Sequence, residues 1–274
     1  MAAKDFTRQI LHWAQQQELI RQVVMTGDRV NKAAVKKPLQ TYSWIVSAQD
    51  PRQIKETFLW EQVIDERPVH QASWQENHNQ IYALFSDRSR ISLTILSLEG
   101  LEELLRRDTL CEVLLDKDAR YGARPKPTDL SHRTRKPEER EYRLWCDRFF
   151  YEVVDAAMSL EQDEMIPAQF ALARARRWLL RMTEAGAAST ADFSINLGVD
   201  GKNLKAYLDA SCYEHFLNAF AFSKMDSIWN SLFQSCVLFR KMGLLVGEKC
   251  GYEYPKRADV EILQMLRQIW EERH

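Results

Sequence analysis

The sequence predicts an α+β (α/β) amino-terminal domain over residues 1-134, followed by an all-α helical bundle over residues 135-274. Three observations predict it. Up to Leu98, short helical patterns alternate with β-branched runs. From Ala119 to Arg140 the chain is basic and carries Pro125, Pro127 and Pro137, the texture of a connecting segment. Beyond it almost every stretch repeats its apolar residues at helical spacing. A length of 274 residues gives each half room for its own core.

Phe6, Ile10, Leu11 and Ala14 share one face of a first helix. The run Val23-Val24-Met25 reads as a strand and ends at Thr26-Gly27-Asp28-Arg29, where glycine allows a tight exit. Tyr42 to Val46 is a second strand. Gln80 to Phe85 and Arg90 to Ile95, joined by the polar turn Ser86-Asp87-Arg88-Ser89, read as a hairpin. Alternation in its second arm puts Ile91, Leu93 and Ile95 on one face and Arg90, Ser92 and Thr94 on the other. Glu99 to Arg107 is a short helix.

In the bundle, Pro137 with Glu138 and Glu139 marks a helix start, since proline fits the first turn and acids suit the positive end of the dipole. Trp145, Phe149 and Val153 line one apolar face. Pro167 lies at the start of a second helix carrying Phe170, Trp178, Leu179 and Met182. A third holds Met225, Trp229, Leu232 and Cys236, and a last runs through Val260, Leu263, Leu266 and Trp270. Core packing accounts for these stripes.

Thirty-eight basic against 39 acidic residues leave a net charge of −1, so no nucleic-acid partner is expected. No apolar run approaches the ~18 residues of a membrane helix, so no membrane partner is expected either. The start of the chain lacks a signal-peptide core, and five cysteines without C-x-x-C spacing favour neither disulfides nor zinc. A cytoplasmic protein is expected. The six histidines show no ligand spacing, and no G-x-S-x-G, Walker or Rossmann pattern occurs. Between Ala119 and Arg140, seven basic residues face three acids, a local +4 that suits either a phosphate or a solvated linker. The acids Asp147, Glu152, Asp155, Glu161, Asp163 and Glu164 of the bundle suit either a polycation or an ordinary helix face.

Gly27-Asp28-Arg29 at a strand end, Gln40-Thr41-Tyr42-Ser43-Trp44-Ile45-Val46, Arg90-Ile91-Ser92-Leu93-Thr94 and Val113-Leu114-Leu115-Asp116-Lys117-Asp118 occur in this order. Lys136-Pro137, Glu139-Arg140-Glu141, Cys146, Phe193-Ser194-Ile195 and Tyr254-Pro255 follow. The series resembles the streptomycin (aminoglycoside 6-) adenylyltransferase family along nearly the whole chain, where the matching motifs are G-S-R, Q-D-Y-D-I-V, R-I-D-L-T, V-L-L-D-K-D and K-P-T-E-R-E. The resemblance implies a nucleotidyltransferase-like first domain with a mixed sheet. It also implies AMP transfer from ATP to an aminoglycoside hydroxyl, with strand carboxylates holding magnesium against the triphosphate and one helping to deprotonate the acceptor.

At the three matching acid positions stand Thr41, Ser43 and Ser92, all neutral alcohols. Asp28 replaces the serine of the turn and brings a charge of the same sign as a phosphate. Trp44 replaces a smaller aliphatic and is expected to fill space nearby. Asp50, Asp87 and Glu99 lie at a strand end, a turn and a helix start, so of the nearby acids only Asp28 is expected to face the cleft between the domains.

The preferred expectation is therefore a catalytically inactive nucleotidyltransferase, a pseudoenzyme. Its cleft would bind a small molecule or a partner, with Gly27, Asp28 and Arg29 as ligand-binding candidates. No catalytic residue, metal ligand or cofactor is assigned. The alternative keeps magnesium and ATP in a rearranged site using Asp28, and modifies an aminoglycoside such as streptomycin. A third reading has an oligomer joined through exposed aromatics, with Trp60 and Trp74 as candidates.

Overall fold

Asp5 accepts a hydrogen bond from the Arg8 N–H at 3.0 Å and so caps α1 (Phe6–Gln16). The computed structural model describes residues 5–31, 41–72, 79–122 and 125–273. Two compact units divide the chain, Met1–His132 and Arg133–His274. In the first, the apolar spacing that predicts α1 also buries it, through Phe6, Ile10, Trp13 and Ala14.

Six strands follow: β1 (Ile20–Thr26), β2 (Thr41–Ala48), β3 (His70–Gln71), β4 (Gln80–Leu84), β5 (Arg90–Leu96) and β6 (Cys111–Asp116). They form one sheet in the order β3-β4-β5-β2-β1-β6. β2 and β5 run parallel and every other neighbouring pair antiparallel, so the sheet is mixed. The expected hairpin is present as β4 and β5. Asp87 accepts the Ser89 N–H at 2.9 Å in its turn, an Asx turn.

Helices α2 (Pro51–Thr57), α3 (Trp60–Val63) and α4 (Leu98–Arg107) complete the first unit. Alternation divides the sheet into two faces. Tyr42, Trp44, Val46, Ile91, Leu93 and Ile95 pack in one core with α1 and with Ile54 of α2. Ile45 and Val24 pack on the other face with Leu101 and Leu105 of α4. Trp60 belongs to the first of these cores and is fully buried, edge-on to Phe58, which removes it as an interface aromatic. Trp74 and His78 lie outside the described residues, as do Gln40, Arg124 and His274.

Lys117, just past β6, closes the end of α1. Its ammonium donates to the carbonyls of Ala14, Gln15 and Gln17 at 2.8, 3.2 and 2.8 Å. Burial lowers its pKa. Beside it Asp118 pairs with Arg21, and Asp116 accepts from the Tyr121 N–H at 2.9 Å. The Val113–Asp118 motif is thus explained by scaffolding.

The second unit contains α5 (Glu139–Glu161), α6 (Met165–Ser189), α7 (Ala210–Asn218), α8 (Met225–Cys250) and α9 (Lys256–Arg273). A capping box of Glu138 and Glu141 starts α5 where the Pro-Glu-Glu sequence predicts it. The bundle packs α6 against α5 and α8, and α9 against α5. Phe149 and Phe239 stack at 3.8 Å in its core. Small residues set the helix spacing. The Tyr142 hydroxyl donates to the Gly243 carbonyl at 2.8 Å, and Tyr254 lies against Gly243 so closely that a Cβ there would meet the ring at 2.5 Å.

Several of the charged candidates of the sequence have local partners. Arg174 holds Glu152 at 2.7 Å and Asp155 at 2.6 Å, and Arg273 pairs with Asp163. Of the basic segment, Arg120 lies 3.4 Å from Glu102, Arg135 pairs with Glu141, and Lys136 donates to the Cys250 carbonyl at 3.4 Å.

Gly243→Ala should destabilise the bundle by about 1–3 kcal/mol, read as a lowered urea midpoint, because the ring of Tyr254 must move. At the start of α7, Asp209 accepts the Cys212 N–H at 2.8 Å, which is the main reason its pKa falls to about 2. This contribution is present above the unfolded carboxylate value of about 3.9 and is lost as pH falls through the folded one. Acid titration of Asp209→Asn should lack that part of the stability loss.

Candidate functional site

The parallel pairing of β2 with β5 sets Thr41 beside Arg90 and Ser43 beside Ser92. Antiparallel pairing then adds Thr26 of β1 next to Ser43 and Tyr82 of β4 next to Ser92. A row of hydroxyl side chains therefore crosses four adjacent strands on one face. Thr41, Ser43 and Ser92 are thereby brought to one face, Ser43 directly beside Ser92 and Thr41 two residues before Ser43 on β2.

Ser92 is buried and donates its proton to the Ser43 oxygen at 2.9 Å. Ser43 is half-buried, and Thr41 and Arg90 are exposed. An Arg90 Nη2–H points to the Thr41 hydroxyl at 3.5 Å, a long contact. Arg29 donates from Nε to the Thr41 carbonyl at 3.0 Å, with its guanidinium carbon 3.5 Å from the centroid of the Tyr42 ring. Gly27 turns the chain out of β1 at φ +80°, where a side chain would be strained, and open space lies where a Cβ would stand. Asp28, next to it, is exposed. The ligand-binding candidate Arg29 thus meets β2 at the Thr41 backbone and over Tyr42, whose side chain lies on the face opposite the hydroxyl row.

Trp44 behaves otherwise than the sequence suggests, while Asp50 and Glu99 lie at the strand end and helix start expected of them. Trp44 points away from the row into the opposite core, because it alternates with Ser43, and so fills none of this space. Asp50 is committed to the start of α2, accepting the Arg52 and Gln53 N–H groups at 3.0 and 3.3 Å. Glu99 sits in the first turn of α4, its carboxyl held below the usual range mainly by a backbone N–H and then by the Ser97 hydroxyl. Arg90 was not singled out from the sequence, although its alternation with Ser92 already places both on one face.

Magnesium needs hard oxygen ligands with enough negative charge to replace its water. Thr41, Ser43 and Ser92 offer oxygen without charge, and one lone pair of Ser43 is already taken by Ser92. Among the described residues, no group of three His, Cys, Asp or Glu side chains is placed to hold a metal. This donor set does not fit the cation. Nor does a hydroxyl with an unperturbed proton act as a base at neutral pH.

No helix among the described residues is long and apolar enough to cross a membrane. The profile of the streptomycin adenylyltransferase family matches residues 2–269. The chain is similar to the aminoglycoside 6-adenylyltransferase of Bacillus subtilis (strain 168), 28% identical over 255 residues that span 89% of this chain and 90% of the relative. It is also similar to that of Campylobacter jejuni, 26% identical over 257 residues, 90% of this chain and 88% of the relative. A crystal structure of an aminoglycoside 6-adenyltransferase from Bacillus subtilis aligns over 97% of both chains with a TM-score of 0.49 and 23% identity. With a family match running almost end to end over a mixed sheet and a helical unit, the chain belongs to the streptomycin adenylyltransferase family.

Proposed function

We propose that this aminoglycoside adenylyltransferase-like protein no longer transfers AMP and acts by binding a small molecule on the open sheet face of its first unit. The observation that carries the reading is the row of Thr41, Ser43 and Ser92, side by side on β2 and β5 and uncharged. The scaffold keeps the positions and lacks the groups that would attract a dication or accept a proton. Loss of one carboxylate would leave a weakened site; loss of all three removes its formal charge.

A second reading, retained AMP transfer, is favoured by the near end-to-end similarity to chains named aminoglycoside 6-adenylyltransferases. It relies on Asp28 as the acid of the turn.

Incubation with labelled ATP, magnesium and streptomycin separates the two. No labelled product is expected, whereas turnover at about 1 per second or faster, an ordinary enzymatic rate, would overturn the first reading. In that event Asp28→Ala should abolish transfer and Ser43→Asp should raise it. Replacing Thr41, Ser43 and Ser92 together by Asp should create a melting temperature that rises with added magnesium, a dependence the parent protein lacks.

A further inference from the structure

Helix α6 divides its residues between two sides. Ala168, Ala171, Leu172, Ala175 and Leu179 are buried in the bundle core, so helical periodicity turns Ile166, Phe170, Ala173 and Arg177 outward. Ile166 is 73% exposed and Phe170 65% exposed, one turn apart on that outer side. A third apolar side chain is held out beside them. Gln169 donates from Nε2 to the Phe222 carbonyl at 3.2 Å, and the Phe222 N–H donates to the Ser227 hydroxyl at 2.9 Å. The loop after α7 is thereby fixed with the Phe222 ring 82% exposed. Single exposed apolar residues are ordinary, but three gathered along one helix turn form a patch.

We infer that this outer side of α6 pairs with the same side of a second copy of the chain, the two helices antiparallel and Phe170 at the two-fold axis. The charges on α6 select both the occupant and its direction. Glu164, at the start of the helix, and Arg177, at its middle, are exposed. Among the described residues neither side chain has an ion pair or a hydrogen bond. At a rise of 1.5 Å per residue they stand about 9–10 Å from Phe170, in opposite directions along the helix.

In an antiparallel copy centred on Phe170, Glu164 therefore faces the partner's Arg177, and Arg177 faces the partner's Glu164. One contact is made twice, as a self-complementary surface requires. A parallel copy would set like charge against like. Antiparallel helices also oppose their dipoles. Ala173, between Phe170 and Arg177, is small enough to let the helices close to the about 8–10 Å of packed pairs. An anionic membrane is disfavoured by Glu164 and the neighbouring Asp163, which border the apolar side chains with charge of the wrong sign. The surface lies in the helical unit and uses none of the hydroxyl row, so it stands apart from the reading of that row.

Sedimentation velocity of the full chain from about 1 to about 100 μM tests the pairing. A dimer should form within this range, and Phe170→Glu, which sets two carboxylates at the axis, should weaken it at least about tenfold. Glu164→Arg and Arg177→Glu should each weaken it about tenfold, since symmetry counts each reversal twice. Mixing these two variants should bring back a dimer of parental strength, because each chain then meets its opposite at both contacts. A parent chain still monomeric at about 100 μM, a dimer indifferent to Phe170→Glu, or reversed chains that gain nothing on mixing would each overturn the inference.

Discussion

The parallel register of β2 and β5 is the constraint on which the first unit depends. It is enforced mainly from the side of the sheet that packs against α1. Tyr42, Trp44, Val46, Ile91, Leu93 and Ile95 are all buried there, each worth about 1.5–3 kcal/mol relative to exposure. The Ser43–Ser92 hydrogen bond on the opposite face contributes only about 1 kcal/mol by comparison. A slip of one residue would turn the apolar set outward, so the hydroxyls are held adjacent by burial behind them. The hydroxyl row itself lies outside both cores, so its side chains can change identity without endangering the sheet, and neutral hydroxyls there are compatible with an intact fold.

That separation explains how one face can reverse its chemistry. A hydroxyl in place of a carboxylate would leave the backbone where it is and remove the charge, exchanging a group that only accepts for one that both donates and accepts. The bundle has no comparable freedom. Its helices meet through Gly243 against Tyr254 and Gly186 against Met242, contacts in which even one added carbon collides.

Much of this architecture was legible from residue order. The β-branched runs at Val23–Met25 and Tyr42–Val46, the hairpin turn at Asp87 and the start of α5 follow from local chemistry, and the structure places them there. The pairing of Ser43 with Ser92 is a different matter, since it joins residues 49 apart and no local pattern encodes a strand's neighbour. Here the family motifs supplied what periodicity lacks. Trp60 eluded the core reading because α3 spans only four residues, too few for a helical period to show. Trp44 was readable and misread: strict alternation with Ser43 already sends it to the other face. The role of Lys117 could not be read at all, because its acceptors are carbonyls freed by a helix end about a hundred residues earlier.

Lys117 also orders events in time. The segment carrying α1 leaves the ribosome before the sheet, yet the carbonyls of its last turn lack this partner until the residue after β6 has been synthesised. An isolated helix of 11 residues is marginal in water, so α1 waits unfinished through the emergence of the whole sheet. Closing so long a loop is slow compared with local contacts. A helix made before the sheet is thus completed after it, and until then its apolar stripe is open to chaperones and to neighbouring nascent chains.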